Sequence, residues 1–135
     1  MCSYLPFRQG GYVKISLYSF GFKHTAPPEA DLVWDVRFLP NPYWVPALKS
    51  LNGRDPQVAL HVLDNESGRE FLSRLEPLLA FLLDQYEEQQ REELVIAVGC
   101  TGGVHRSVAV VEHLHGILDR QGRIVRVSHR DIAKQ

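Results

Sequence analysis

The stretch that decides the fold is Leu94 to Ser107, which reads LVIAVGCTGGVHRS. Its first five residues, Leu94 to Val98, are apolar and mostly β-branched, and they predict a short buried strand. A glycine-rich turn follows at once. Residues 105 to 120 then carry apolar side chains at helical spacing, namely Val108, Val111, Leu114, Ile117 and Leu118. The stretch therefore predicts a strand, a glycine turn and a helix in succession.

This order of elements is typical of an anion-binding site. The first N–H groups of a helix have no partner within the helix, and they lie at the positive end of its dipole. Gly102 and Gly103 carry no Cβ that would keep an anion from the backbone, and Arg106 adds a planar fork of charged donors. The alternative is a tight connection without a ligand, but such a connection needs none of the further polar groups on Thr101, His105 and Ser107.

Composition narrows the class of protein. The chain has 135 residues, of which 44% are hydrophobic, so it can bury one core as a single domain. The formal net charge of −1 excludes a global basic field, and RNA binding would depend on a local patch. Two cysteines, Cys2 and Cys100, make no disulfide framework and indicate a reducing compartment. Since no signal peptide or membrane-length apolar run is visible, we expect a cytoplasmic protein without membrane contact.

Strand and helix patterns alternate along the rest of the chain. Alternating side chains predict strands at Tyr12 to Phe20, Leu32 to Leu39 and Arg123 to His129. Helical spacing predicts one turn at Pro46 to Leu51, a helix at Asp55 to Leu63 capped by Asp55, and a long helix from Ser67 to about Gln90. Pro77 should kink or interrupt the long helix, and residues 87 to 93 should be a solvated helix end or linker.

These elements predict a single α/β domain with a largely parallel sheet, helices on both faces and the glycine-rich anion-binding loop at the carboxyl edge of the strands. The domain would span residues 12–135, after an N-terminal arm at residues 1–11. Parallel strands end at one edge, so the loops Ser19 to His24, Asn41 to Trp44 and Cys100 to His105 should open together. His129 and Arg130 should lie at the same edge.

Several polar residues allow two interpretations. Asp35 and Arg37 could form a plain ion pair, but a charged pair in an apolar strand that points to this edge favours a functional role. Cys100 could be a small core residue, although a thiol facing a helix N-terminus and an arginine is a candidate nucleophile or anion contact. Surface or packing roles are expected for the helical histidines, and no metal-ligand spacing is present.

The spacing from Cys100 to Ser107 is Cys-x5-Arg-Ser, which resembles the phosphate loop of cysteine-dependent phosphatases. In that family the cysteine attacks phosphorus and the arginine holds the phosphate oxygens. These enzymes usually carry a histidine just before the cysteine, where this chain has Gly99. Candidates for the general acid are Asp35 and Asp64.

A longer resemblance covers roughly Tyr12 to Lys134. Four segments carry it: SFGFK at 19–23, DVRFLPNPYW at 35–44, GCTGGVHRS at 99–107 and SHR at 128–130. In this order and spacing they are similar to the C-terminal domain of the RNase adapter protein RapZ family. The resemblance implies a bacterial regulatory domain that binds glucosamine-6-phosphate and small RNA, oligomerises, and acts with an RNase or another regulatory protein. In that family the domain follows a P-loop nucleotide-binding domain, whose Gly-x4-Gly-Lys-Ser/Thr motif this chain does not contain.

Together these patterns predict a non-enzymatic domain that binds a phosphorylated metabolite, with a phosphatase using Cys100 and Arg106 as the alternative. The predicted ligand residues are Asp35, Arg37, Asn41, Cys100, Thr101, Gly102, Gly103, His105, Arg106 and Ser107. In this site Arg106 neutralises the phosphate, and Asp35 accepts hydrogen bonds from sugar hydroxyls or an ammonium group. The predicted RNA contacts are Lys23, Arg123, Arg126, Arg130 and Lys134. We expect no metal and no cofactor.

Overall fold

A computed structural model of the protein describes residues 12–134, and the predicted N-terminal arm therefore lies outside the described residues. Within that range the strands are β1 (Lys14–Gly21), β2 (Leu32–Asp35), β3 (Glu93–Cys100) and β4 (Val125–His129). The helices there are α1 (Pro46–Lys49), α2 (Pro56–Leu63), α3 (Glu66–Glu88) and α4 (Arg106–Arg120), and a 3-10 turn spans Pro42–Trp44.

The four strands form one sheet in the order β2-β3-β1-β4, and every pair is parallel. This confirms the prediction of an α/β domain with a parallel sheet. Because all strands run the same way, their carboxyl ends meet at one edge, marked by Gly21, Asp35, Cys100 and His129. The segments that leave these four strands can therefore contribute to one site.

The main core lies on one face of the sheet. Ile15 pairs with Leu94 and Leu17 with Ile96, and these side chains are buried with apolar residues of α2, α3 and α4. On the other face, within the part of the chain that the structure describes, Ser16 and Tyr18 are half-buried and Arg126 and Ser128 are exposed. The sequence predicted helices on both faces, whereas the helices that build this core pack on one. The alternation of polar and apolar residues in β1 and β4 accounts for this arrangement.

Strand β2 ends at Asp35, and the prediction that it runs to Leu39 is wrong. The carboxylate of Asp35 accepts the backbone N–H of Arg37 at 2.9 Å and thereby turns the chain out of the sheet. Val36 still donates to the carbonyl of Gly99 at 2.9 Å, and Leu39 then folds back onto the carbonyl of Val36. A local side-chain bond has overridden the apolar pattern.

Helix α3 is continuous through Pro77, so this proline does not interrupt it. The expectation of a solvated segment from residue 87 is also wrong for Glu87, which is 5% exposed. One Glu87 oxygen accepts the backbone N–H of Val13 at 3.2 Å and a guanidinium N–H of Arg123 at 2.6 Å. The end of α3 is thus fixed to the amino-terminal edge of the sheet by a buried ion pair.

Candidate functional site

A pocket of about 470 Å³ opens at the carboxyl edge of the sheet. It receives residues from the segments that follow all four strands, which agrees with the predicted convergence of the loops. Its lining consists of Lys23, Asn41, Tyr43, Trp44, Lys49, Cys100, Thr101, Gly102, Val104, His105, Arg106 and Lys134. The volume is in the range of small-molecule sites.

The glycine loop after β3 packs directly on the end of β1. A Cβ on Gly21 would stand 2.4 Å from the carbonyl carbon of Gly102, and a Cβ on Gly103 would stand 2.5 Å from the backbone nitrogen of Gly21. Gly103 also has a φ of +77°, which side-chain-bearing residues rarely adopt. At Gly102, in contrast, the nearest atom to an added Cβ is Lys23 Cε at 3.9 Å. Gly103 is therefore needed for packing, while Gly102 leaves space at the pocket.

Arg106 lies at the start of α4 and is 5% exposed. Its Nη1 donates to the carbonyl oxygens of Arg37 at 2.6 Å and Leu39 at 3.3 Å, and its Nη2 donates to Thr101 Oγ1 at 3.2 Å. Nε has no hydrogen-bond partner although it is buried. Three of the five guanidinium N–H groups are therefore used within the protein, and two donors are left without a protein acceptor.

His105, the neighbour of Arg106, contacts the end of α1, which forms another wall of the pocket. Its Nε2 lies 3.1 Å from the carbonyl oxygen of Lys49 at the end of α1. A carbonyl oxygen only accepts, so this nitrogen carries a proton. Burial lowers the pKa of His105, with a smaller contribution from the positive charge of Arg106, and two backbone hydrogen bonds oppose this shift. The imidazole is therefore held in its neutral form as a structural donor.

Cys100 forms the floor of the pocket and is 2% exposed. Its Sγ accepts the backbone N–H of Ser107 at 3.3 Å, and the Ser107 hydroxyl lies 3.2 Å from the same sulfur. One helix N-terminal N–H is therefore already occupied by the cysteine. The preceding residue must be glycine, because a Cβ on Gly99 would stand 2.5 Å from the Phe20 ring. The histidine that phosphatases usually carry there has no room.

A buried carboxylate binds the end of β1, against which the glycine loop packs. Asp131 is fully buried, and it accepts the backbone N–H of Gly21 at 2.8 Å and a guanidinium N–H of Arg130 at 3.0 Å. Its other oxygen lies 2.9 Å from Lys134 Nζ. Burial alone would raise the pKa of Asp131, but the bonds from Arg130, Gly21 and Lys134 outweigh it and lower the pKa to about 2. Asp131 therefore fixes both the β1 end and a lysine of the pocket wall.

The structure brings together part of the predicted ligand set. The predicted residues that line the pocket are Asn41, Cys100, Thr101, Gly102, His105 and Arg106. Gly103 and Ser107 do not line the pocket. The Ser107 hydroxyl lies 3.4 Å from the carbonyl oxygen of Phe20. Asp35 and Arg37 pair with each other at 2.6 Å, and each side chain is about half exposed. The hydrogen bond from Arg37 keeps the pKa of Asp35 below its usual value.

The predicted RNA residues are dispersed. Lys23 and Lys134 lie in the pocket wall, and Arg126 is exposed on β4. Arg123 is engaged in the buried pair with Glu87. Arg130 donates to the carbonyl oxygens of Ala26, Gly21 and Thr25 as well as to Asp131. The last two arginines therefore hold the fold together.

Sequence reasoning missed four residues of the lining: Tyr43, Trp44, Lys49 and Val104. For the first two a signal was present, because adjacent large aromatic residues between Pro42 and Pro46 have little reason to lie in a rigid exposed loop. No local pattern marks Lys49, since its position depends on where α1 packs.

The described residues hold no cluster of three or more metal-ligating side chains. In the same range, no helix combines the length and apolarity that a membrane crossing requires.

The fold and the pocket define a class of protein: a parallel α/β domain with a cation-lined pocket at the carboxyl edge of its sheet. The model of the RapZ C-terminal domain matches residues 13–133, and the chain belongs to this family. It is 50% identical over 120 residues to a nucleotide-binding protein of Caldicellulosiruptor bescii, which covers 89% of this chain and 41% of that protein. A nucleotide-binding protein of Geobacter metallireducens is 52% identical over 120 residues, covering 89% of this chain and 42% of the relative. A nucleotide-binding protein of Brevibacillus brevis is 47% identical over 127 residues, covering 94% of this chain and 43% of the relative. The chain thus spans less than half the length of these relatives.

Proposed function

We propose that this chain is a regulatory domain that binds a phosphorylated sugar in the pocket at the carboxyl edge of the sheet. The candidate ligand is an amino-sugar phosphate such as glucosamine-6-phosphate, which the family resemblance implies. The regulatory partners implied by the same resemblance, an RNase or another protein and further copies of the chain, belong to the proposal.

One observation carries the proposal: Arg106 is buried, lines the pocket and has an unpartnered Nε. A buried donor without a partner costs roughly 1–3 kcal/mol, and more when the group is charged. A phosphate oxygen at this position would supply the missing acceptor in a charge-assisted bond. The unused donors of Arg106 are thus best explained by an anionic ligand.

The charge of the lining supports the same ligand class. Lys23, Lys49, Arg106 and Lys134 line the pocket, and among its described lining residues there is no carboxylate. In this arrangement Arg106 and the Thr101 hydroxyl bind the phosphate, Gly102 leaves room for it, Asn41 forms a wall and Cys100 the floor. Such a pocket favours a phosphate dianion electrostatically.

The proposal is tested by calorimetric titration of the full chain with glucosamine-6-phosphate, glucose 6-phosphate and inorganic phosphate. The parent should bind all three, and saturating ligand at about 100 times Kd should add roughly 2.7 kcal/mol to the free energy of unfolding. Arg106→Lys should weaken binding by about tenfold or more, since it keeps the charge but loses the planar fork. The matched control, Arg126→Lys, changes an exposed arginine away from the pocket and should bind as the parent does. Absence of phosphate binding by the parent would overturn the proposal.

Phosphatase chemistry is not favoured by the geometry. Attack by the Cys100 thiolate would form a sulfur–phosphorus bond, and the leaving alkoxide would need a proton donor. The candidate acids are paired elsewhere, Asp35 with Arg37 and Asp64 with Arg69. We expect no turnover of an aryl phosphate, and Cys100→Ser should retain the ligand. Turnover that is lost in Cys100→Ser would move the assignment to the phosphatase.

RNA binding is proposed for the exposed basic residues Lys23 and Arg126, and for Lys134, which is exposed although its amine also pairs with Asp131. Binding of a structured small RNA should weaken steeply between 50 and 200 mM salt, as expected when phosphates are neutralised. Lys23→Glu and Arg126→Glu should each weaken it, whereas Arg74→Glu on the outer surface of α3 should not. Equal binding by all three variants would exclude these contacts.

A further inference from the structure

The lining of the pocket has two chemically different parts. One part is the polar loop with Thr101, Gly102 and Arg106, which offers donors to a phosphate. The other part is an aromatic corner formed by Tyr43 and Trp44, whose ring centroids are 5.0 Å apart with an angle of 89° between the planes. A phosphate at the loop would fill only part of the 470 Å³. The aromatic corner is therefore available to the remainder of the ligand.

The aromatic corner is rigid. Prolines at positions 40, 42 and 46 fix the backbone around it, and Asn41 Oδ1 accepts the N–H of Tyr43 at 3.1 Å. The backbone N–H of Trp44 donates to the carbonyl of Asn41 at 3.3 Å. These bonds fix the backbone that carries the two rings before a ligand arrives, which reduces the entropy lost on binding.

Two consecutive residues at the start of α4 fix the backbone of the corner relative to the glycine loop. Arg106 binds the carbonyl oxygens of Arg37 and Leu39, just before the corner. His105 lies within hydrogen-bond distance of the carbonyl of Lys49, just after it. The backbone that carries Trp44 is therefore fixed relative to Arg106 by hydrogen bonds on both sides of the corner.

The two rings differ in how much of their surface is already covered. Lys49 Nζ lies 4.4 Å from the centroid of the Tyr43 ring, so a cation already covers one face of it. Trp44 is 76% exposed, although burying an indole would be favourable. An exposed tryptophan in the pocket lining, carried on a fixed backbone, can be covered by a ligand.

We propose that Trp44 packs against the ring of a phosphorylated pyranose sugar, so that the pocket selects cyclic sugar phosphates over acyclic ones. This inference rests on the proposed phosphate site. A pyranose has an apolar C–H face that can cover the indole, while its rim of hydroxyl groups meets the polar lining at Asn41 and Lys23. The perpendicular rings form a corner rather than a parallel clamp, which suits a puckered ring better than a flat base between two rings.

The test compares three ligands on the full chain: inorganic phosphate, glycerol 3-phosphate and glucose 6-phosphate. We expect the parent to bind glucose 6-phosphate about tenfold more tightly than glycerol 3-phosphate, consistent with the burial of several tens of Å² of apolar surface. Trp44→Ala should reduce this ratio to about one while the Kd for inorganic phosphate stays within twofold. Trp44→Phe should recover part of the ratio. The matched control, Phe81→Ala, removes an exposed aromatic side chain of α3 and should leave the ratio unchanged.

Each result separates this inference from the phosphate site itself. If the parent binds phosphate but the ratio is unchanged in Trp44→Ala, the role of Trp44 is wrong and the phosphate site stands. If AMP binds more tightly than every sugar phosphate and loses this advantage in Trp44→Ala, the corner takes a base and the inference of a sugar ring is overturned. If the parent binds none of the phosphates, both the proposed phosphate site and the inference about Trp44 are wrong.

Discussion

Nη1 of Arg106 lies 2.6 Å from the backbone carbonyl oxygen of Arg37, a residue 69 positions earlier in the chain. This contact joins the start of α4 to the segment that leaves β2. The arginine proposed to bind the phosphate thus also holds one wall of the pocket in place. If the proposal holds, substitution of this side chain affects both ligand binding and the stability of the fold.

Replacing Arg106 should therefore lower stability as well as affinity. In Arg106→Ala the carbonyl oxygens of Arg37 and Leu39 lose their donor, and we expect the free energy of unfolding to fall by about 1–3 kcal/mol. Urea denaturation of the ligand-free protein measures this change. Arg126→Ala serves as the control and should change stability by less than about 0.5 kcal/mol. An Arg106→Ala variant as stable as the parent would show that the bridge contributes nothing.

The two central glycines of the loop should respond differently to alanine. Gly103→Ala introduces a Cβ at a φ of +77° and 2.5 Å from the backbone nitrogen of Gly21, so we expect a loss of stability of more than about 1 kcal/mol. Gly102→Ala meets no atom closer than 3.9 Å and should leave stability nearly unchanged. Its methyl group should instead weaken phosphate binding. Thermal unfolding and ligand titration of both variants check the contrast, and equal stability of the two would contradict it.

The buried carboxylate predicts an acid-sensitive fold. Because the pKa of Asp131 is lowered to about 2, its contribution to stability is present above pH 3.8 and is lost as the pH falls towards 2. The shift corresponds to about 2 kcal/mol at neutral pH. Asp131→Asn should lose this amount and flatten the acid limb of the stability curve. Asp84→Asn, at an exposed aspartate of α3, should leave the curve unchanged, and an identical acid limb in Asp131→Asn would argue against the assignment.

His105 predicts a second loss of stability on acidification, at milder pH than that of Asp131. Its pKa is lowered by burial, so below about pH 6.5 the unfolded chain takes up a proton that the folded protein resists. Stability due to His105 is therefore complete above this value and decreases as the pH falls. The difference in unfolding free energy between the parent and His105→Gln, measured from pH 5 to 7.5, isolates the effect. A difference that does not vary with pH would show that the imidazole is not held neutral.

The sequence by itself determined the elements whose side chains alternate or repeat over many residues. The apolar run of β3, the glycine turn and the helical spacing of α4 are local, and each specifies its own backbone geometry, so the parallel α/β domain followed from them. The Asp55 cap was equally local, because its carboxylate reaches a backbone N–H two residues away. The glycine loop and Arg106 could be named as a candidate site for the same reason.

Other features were decided only by the tertiary structure. The early end of β2 depends on whether Asp35 bonds to its own chain or the strand continues, and both are compatible with the local sequence. The burial of Glu87 and Arg123 depends on where the end of α3 meets β1, which no local pattern encodes. The pocket wall of Tyr43, Trp44 and Lys49 exists because His105 and Arg106 bind carbonyl oxygens distant in sequence. Periodicity reports which face of an element is buried, but only the packed chain fixes which elements meet.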